Sequence, residues 1–482
     1  MDVNKVIPGL MTQLFGALCL WVGLWVTPSI AVPAQAEESR PSAAGSPAPM
    51  PISGSAASAA IRRAAQPIRG AADDYDALMQ RVGDARVVML GEDTHGSLEF
   101  YRERARITMR LIEEKGFNGV VIESDWAPSE RVNRYVRGEA GDESAEIALS
   151  GHTRFPNWMW RNVPFRDLVA WLRAHNQTAG GGARPVGVYG MDAQGLASSA
   201  NRLLATLARV DPTEAARVHE HYACLERFDF DGDRYGKALQ NPDGVSCEPG
   251  AADAFAALQA RAATEADANI GANDAEWFSV MQNAQAVRAA EAYSRAQVTP
   301  GANSWNVRDL HMADVIDAVL KRLDSQGGAP AKVVVWAHNT HVGDARASDR
   351  GVHSGYWSVG QLVRERRAGE TVLVGFTTRL GLVRAAPAWG EADRVHNLRR
   401  PAWESLPAIF GRVRLPRFLL VFATSGAPPS PLDDNLPLRA IGVVYAPKFE
   451  RSEHYYRGYV TGLFDAIVHI DHTQVLPRLP RR

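Results

Sequence analysis

Cysteine, net charge and long apolar runs are all scarce in this chain, and each shortage removes a class of protein. Three cysteines in 482 residues are too few for a disulfide-built scaffold, and none form a C-x-x-C redox or metal motif. With 53 Lys and Arg against 54 Asp and Glu, no basic excess steers the chain to nucleic acid or anionic lipid. The apolar run LFGALCLWVGLWV at 14–26 is too short to cross a bilayer comfortably. Two catalytic signatures are also missing: G-x-S-x-G, which presents a nucleophilic serine, and the metalloprotease helix H-E-x-x-H. What remains is an ordinary globular composition, 46% hydrophobic and 22% charged, enough for a large core.

The amino terminus reads as an address. Lys5, the run at 14–26, Pro28 and then Ala34-Gln35-Ala36 match a secretory signal over residues 1–36, implying a periplasmic or secreted protein. An uncleaved anchor is the alternative. Cleavage removes Asp2 and Lys5 together, so the charge balance is unchanged, and no stable membrane insertion is expected afterwards. Residues 37–70, rich in Ser, Ala and Pro, read as a flexible linker, with the folded domain running from Ala71 to 482. Cys224 and Cys247 survive cleavage, and either one disulfide or two free thiols fits the sequence.

Beyond the linker, short apolar runs alternate with helical patterns. ARVVML (85–90), NGVVIE (118–123), VGVYG (186–190), KVVVWA (332–337) and TVLVGF (371–376) read as strands buried on both faces. Runs at 418–422, 441–445 and 464–470 are candidates for more. Residues 98–115 carry Leu98, Tyr101, Ile107, Leu111 and Ile112 among charges, an amphipathic helix. Ala, Glu, Arg and Gln dominate about 198–325, which reads as a helical insertion or cap. The fold class is therefore α/β, a largely parallel central sheet flanked by helices.

Chemistry gathers at strand ends. The first run leads into Gly91-Glu92-Asp93-Thr94-His95-Gly96, the second into Glu123 and Asp125, the third into Asp192, and the fourth into His338-Asn339-Thr340-His341. Open parallel sheets bind ligands outside the carboxyl ends of their strands, so Glu92, His95, Glu123, His338 and His341 are expected to converge on one site. Asp192 reads rather as structural. Trp126, Trp158, Trp160 and Trp171 are candidates for an apolar wall, although core packing explains each singly.

The motif G-E-x-T-H-G at 91–96, Glu99 and Arg104, and Glu123-Ser124-Asp125-Trp126 resembles the erythromycin esterase family. The resemblance continues through Met159-Trp160-Arg161-Asn162, Trp171-Leu172-Arg173, Gly190-Met191-Asp192, Arg308-Asp309-x-x-Met312-Ala313 and Ala337-His338-Asn339-x-His341-Val342. It closes with Ile441-Gly442-Val443-Val444-Tyr445 and Phe464-Asp465-Ala466, in order from about 85 to 475. One departure is Asp93, where a smaller residue is common. The resemblance implies a hydrolase that is metal-independent or weakly metal-sensitive and uses no cofactor. Its best-known members open a macrolide lactone, the basis of an antibiotic resistance.

By the same resemblance His95 is the general base, with Glu92, Arg104, Glu123, His338 and His341 around it. Elementary chemistry agrees, since an imidazole near its ordinary pKa can activate water at neutral pH. A carboxylate, Glu92 or Glu123, would orient the ring, and His338, His341 or Arg104 would meet the oxyanion. The expected substrate is a small ester or lactone. Two other readings use the same cluster: a Zn²⁺ or Mn²⁺ hydrolase, and a periplasmic haem or small-ligand binder with axial histidines.

Overall fold

The computed structural model describes residues 54–139, 141–178, 184–267, 274–422 and 432–480. The expected signal and the first part of the expected linker lie outside the described residues. Eleven described strands follow in chain order: β1 (Gln66–Pro67), β2 (Val87–Leu90), β3 (Gly119–Asp125), β4 (Gly187–Asp192), β5 (Val333–Trp336), β6 (Thr371–Ala385), β7 (Arg394–Asn397), β8 (Arg417–Val421), β9 (Leu436–Arg439), β10 (Tyr455–Gly458) and β11 (Ala466–Thr473).

The main sheet has the order β1-β8-β11-β6-β2-β5-β3-β4, with β7 paired to β6, and β9 with β10 forms a separate ribbon. Pairing is parallel from β11 through β6, β2, β5 and β3 to β4, and antiparallel at β1–β8, β8–β11 and β6–β7. Each central strand is buried on both faces, which is why its sequence is a continuous apolar run. Val88, Leu90, Ile122 and Trp336 face one core layer; Val87, Met89, Val121 and Val335 face the other.

The expected linker is shorter at its carboxyl end than the composition suggests. Gly54–Ala64 is a helix with Ile61 buried, β1 pairs with β8, and Ile68 joins the core. Two isoleucines in an Ala- and Ser-rich stretch suffice to dock it. The run at 441–445 is not a strand; Ile441 instead makes an isolated parallel bridge to Thr94 and so braces the loop after β2.

The insertion is helical, as expected, from Leu196–Val210 through Pro212–Glu226, Gly232–Leu239, Glu248–Asp267 and Asp274–Val298 to Ser304–Ser325. It has its own core, including Leu203, Tyr222, Val280 and Val287, and Cys224 is disulfide-bonded to Cys247 within it. Its last helix, Ser304–Ser325, packs on β4 and brings its first turn to the carboxyl edge of the sheet.

Candidate active site

Four loops and one helix meet at that edge. The loop after β2 is bounded by glycines because nothing larger fits: a Cβ at Gly91 would collide with the Asn339 amide, and one at Gly96 with the Arg384 backbone. The Asn339 amide donates to the Glu92 carbonyl at 2.8 Å, tying this loop to the one after β5.

Glu92 is buried between two partners. Arg104 Nη2 donates to its Oε2 at 2.9 Å, and His95 Nδ1 lies 2.9 Å from its Oε1. Arg104 is fully buried, its guanidinium over the Tyr101 and Trp336 rings at 4.5 and 4.6 Å. A carboxylate at Nδ1 selects the Nδ1–H tautomer of neutral His95 and leaves Nε2 with a free lone pair.

Glu123, near the end of β3, accepts from Arg308 Nη2 at 2.9 Å and from the His338 amide at 2.8 Å. Burial favours its neutral form. His341, His95, Arg308 and that amide outweigh burial and hold its carboxyl well below the usual range, so it is ionised. Trp160 Nε1 donates to the Glu123 carbonyl at 3.0 Å.

His338 caps the short helix Asn339–Val342. The Thr340 amide donates to its Nδ1 at 3.3 Å, and the Thr340 hydroxyl lies 2.8 Å from the same atom. An amide cannot accept here, so Nδ1 is the acceptor and the proton sits on Nε2. Burial and then the neighbouring His95 push the proton affinity of His338 well down, against the pull of Glu123. The ring stays neutral, 4.9 Å from His95 between centroids.

His341 is clamped on every side. Its Nδ1 is 2.9 Å from both Asp309 oxygens, its ring stacks parallel on Trp305 at 4.3 Å, and its Nε2 is 3.1 Å from Arg308 Nη1. Arg308 in turn donates twice to Asp192, at 2.7 and 2.9 Å. Arg154 forms a similar two-point pair with Asp125.

These groups surround a cavity of about 380 Å³. His95, Glu123, His338 and His341 line it, together with Asp192, Arg308 and Trp305. Glu92 and Arg104 stand behind His95 instead of on the wall. Arg104 is thus placed to orient Glu92 and not to meet an oxyanion. Of the four tryptophans, Trp160 lines the cavity, Trp126 and Trp158 are buried in the core, and Trp171 stacks on His175.

Sequence reasoning singled out neither Arg308, Asp309 nor Trp305 as site residues, although Arg308-Asp309 lies in a stretch noted above. Asp192, read as structural, anchors Arg308. Among the described residues no three His, Cys, Asp or Glu side chains converge as a metal site. The cavity carboxylates are instead held by guanidinium, imidazole and amide donors.

Fold and pocket together define an α/β protein with imidazole–carboxylate pairs at the carboxyl edge of a largely parallel sheet. A family model described as erythromycin esterase matches residues 112–473, well over half the chain, and the chain belongs to that family. The match begins after the 91–96 loop, whose place in the site rests on geometry. The chain is 31% identical over 107 residues to an erythromycin esterase type II of Escherichia coli, a stretch covering 22% of this chain and 24% of that protein.

Among solved structures, a succinoglycan biosynthesis protein is similar with a TM-score of 0.68 at 21% identity, covering 87% of this chain and 97% of that one. A Bacillus cereus protein gives 0.70 at 20%, covering 89% and 100%. The erythromycin esterase EreC, in its open conformation, gives 0.60 at 16%, covering 83% and 93%. At these identities the structures establish the fold.

Proposed function

We propose that the protein hydrolyses a carboxylic ester or lactone of a small molecule by attack of water activated at His95. The observation that carries this is the Arg104–Glu92–His95 chain, which ends in an imidazole nitrogen free to accept a proton beside the cavity. Glu92 orients the ring and stabilises the imidazolium, and Arg104 holds Glu92 in place. Water approaching the acyl carbon gives its proton to His95 Nε2. The Arg308 guanidinium, on the cavity wall, is the donor assigned to the negative charge that develops.

Family membership supports ester chemistry, and the family's name makes macrolide lactones the first substrates to try. The signal-like residues 1–36 support export, as does the Cys224–Cys247 bridge, which belongs in an oxidising compartment. Mass analysis of the protein from its native host tests export, which predicts a chain beginning after Ala36.

Hydrolysis of a lactone and aryl-ester panel by wild type and His95→Ala tests the mechanism. A general base contributes ~10²–10⁴ in rate, and a loss of that size with an unchanged melting curve is expected. A kinetically normal His95→Ala variant overturns the assignment.

A further inference from the structure

The cavity holds a second imidazole–carboxylate pair that water activation does not use. Asp309, in the second turn of Ser304–Ser325, is completely buried, yet both its oxygens lie 2.9 Å from His341 Nδ1 and one also accepts the Val359 amide at 3.0 Å. With Trp305 parallel to the ring, the imidazole can neither rotate nor flip. Its Nδ1 is therefore a permanent donor to Asp309, and only Nε2 can exchange a proton.

Nε2 has a partner in either state. Deprotonated, it accepts from Arg308 Nη1 at 3.1 Å; protonated, it has Glu123 Oε1 as acceptor at 3.4 Å without moving. The charged groups facing it are Asp309, Glu123 and Arg308, with Asp192 behind Arg308 and the neutral His338 beside them. Two of these carboxylates lie within reach of the two ring nitrogens, Asp309 at Nδ1 and Glu123 at Nε2. A ring that needs no rearrangement between its two states is suited to proton donation.

Resting on the ester reading above, we propose that Asp309 is a positioning residue that holds His341 as the proton donor to the departing alcohol. Water oxygen bonds to the acyl carbon as its proton passes to His95. The bond from acyl carbon to alcohol oxygen then breaks, its electron pair stays on that oxygen, and the oxygen takes the His341 Nε2 proton. His95 releases one proton to solvent and His341 recovers one, so the cycle closes.

Paired esters of one acid, para-nitrophenyl and ethyl, separate this from a merely structural role. Nitrophenoxide leaves without a proton; ethoxide does not. Asp309→Asn is expected to lower kcat for the ethyl ester ~10²-fold more than for the aryl ester, and Asp309→Glu to restore part of the difference. Equal losses on both esters overturn the proposal. Nitrogen NMR of histidine-labelled protein, with His341 assigned from His341→Gln, reads the ring directly, whether or not either ester is turned over. Wild type should show an Nδ1-bound proton and a higher pKa than Asp309→Asn, and a neutral Nε2–H ring in wild type overturns the proposal. Absence of turnover of every ester with that NMR signature present would sink the ester reading alone.

Discussion

At the scale of single residues, the site separates carboxylates by environment. Glu123 is surrounded by cationic and amide donors and stays ionised, whereas Asp93, only thirty residues earlier, is pushed up to about 7. Burial is the main cause for Asp93, against Arg439 and a 2.9 Å hydrogen bond from the Thr378 amide. A raised carboxyl pKa means the fold prefers the protonated acid. Its contribution to stability is complete below the unfolded value of 3.8 and is lost as pH rises towards about 7. Asp93→Asn imitates the protonated acid and still accepts from Thr378. The stability gain of this variant should therefore be near zero at pH 4, grow through pH 6 and level off above pH 7, at roughly 2–4 kcal/mol. Thermal melts across that range check it, and a gain independent of pH would show that the Asp93 charge is not the cause.

At the scale of elements, everything depends on the loop after β2 holding its path. Gly96 lies against the Arg384 backbone in β6, and the Leu476 amide donates to its carbonyl at 2.9 Å. Backbone cannot swing aside as a side chain can, so Gly96→Ala must displace the loop. Overpacking of this kind costs ~1–3 kcal/mol, and His95 moves with it. A lower Tm together with a fall in kcat of at least tenfold is expected; a variant with wild-type kinetics would mean the loop yields without moving His95.

The same geometry explains what the sequence makes legible. A strand buried on both faces must be a continuous apolar run, so the first polar residues at the ends of β2, β3 and β5 stand out, and they are Glu92, Glu123 and His338 with their neighbours. Arg308 and Asp309 are hidden because Ser304–Ser325 carries the same Arg and Asp texture as a solvated helix. Only its packing on β4 turns the second turn inward. The docked segment at 54–68 is hidden for a similar reason, since Ile61 and Ile68 alone distinguish it from linker. The run at 441–445 looks like a strand because it is apolar and β-branched, but its backbone is spent bracing the loop after β2 and Ala386.

At the scale of the whole molecule, the cavity lies at the edge of the main sheet while most of the helical insertion has a core of its own, pinned by Cys224–Cys247. The two cysteines are 23 residues apart, and closing a loop of that length restricts the unfolded chain by about 3 kcal/mol. Cys247 is buried among Leu225, Tyr235 and Ala251, so the bridge also fixes Pro212–Glu226 against the start of Glu248–Asp267. Neither cysteine lines the cavity. Cys224→Ser should therefore lower the Tm by several degrees while leaving kcat within twofold of wild type. Wild-type protein melted in a thiol reductant should show the same shift, and the variant should show none. If reductant leaves the wild-type melt unchanged, the bridge is not formed in solution and the support it lends to an exported protein goes with it.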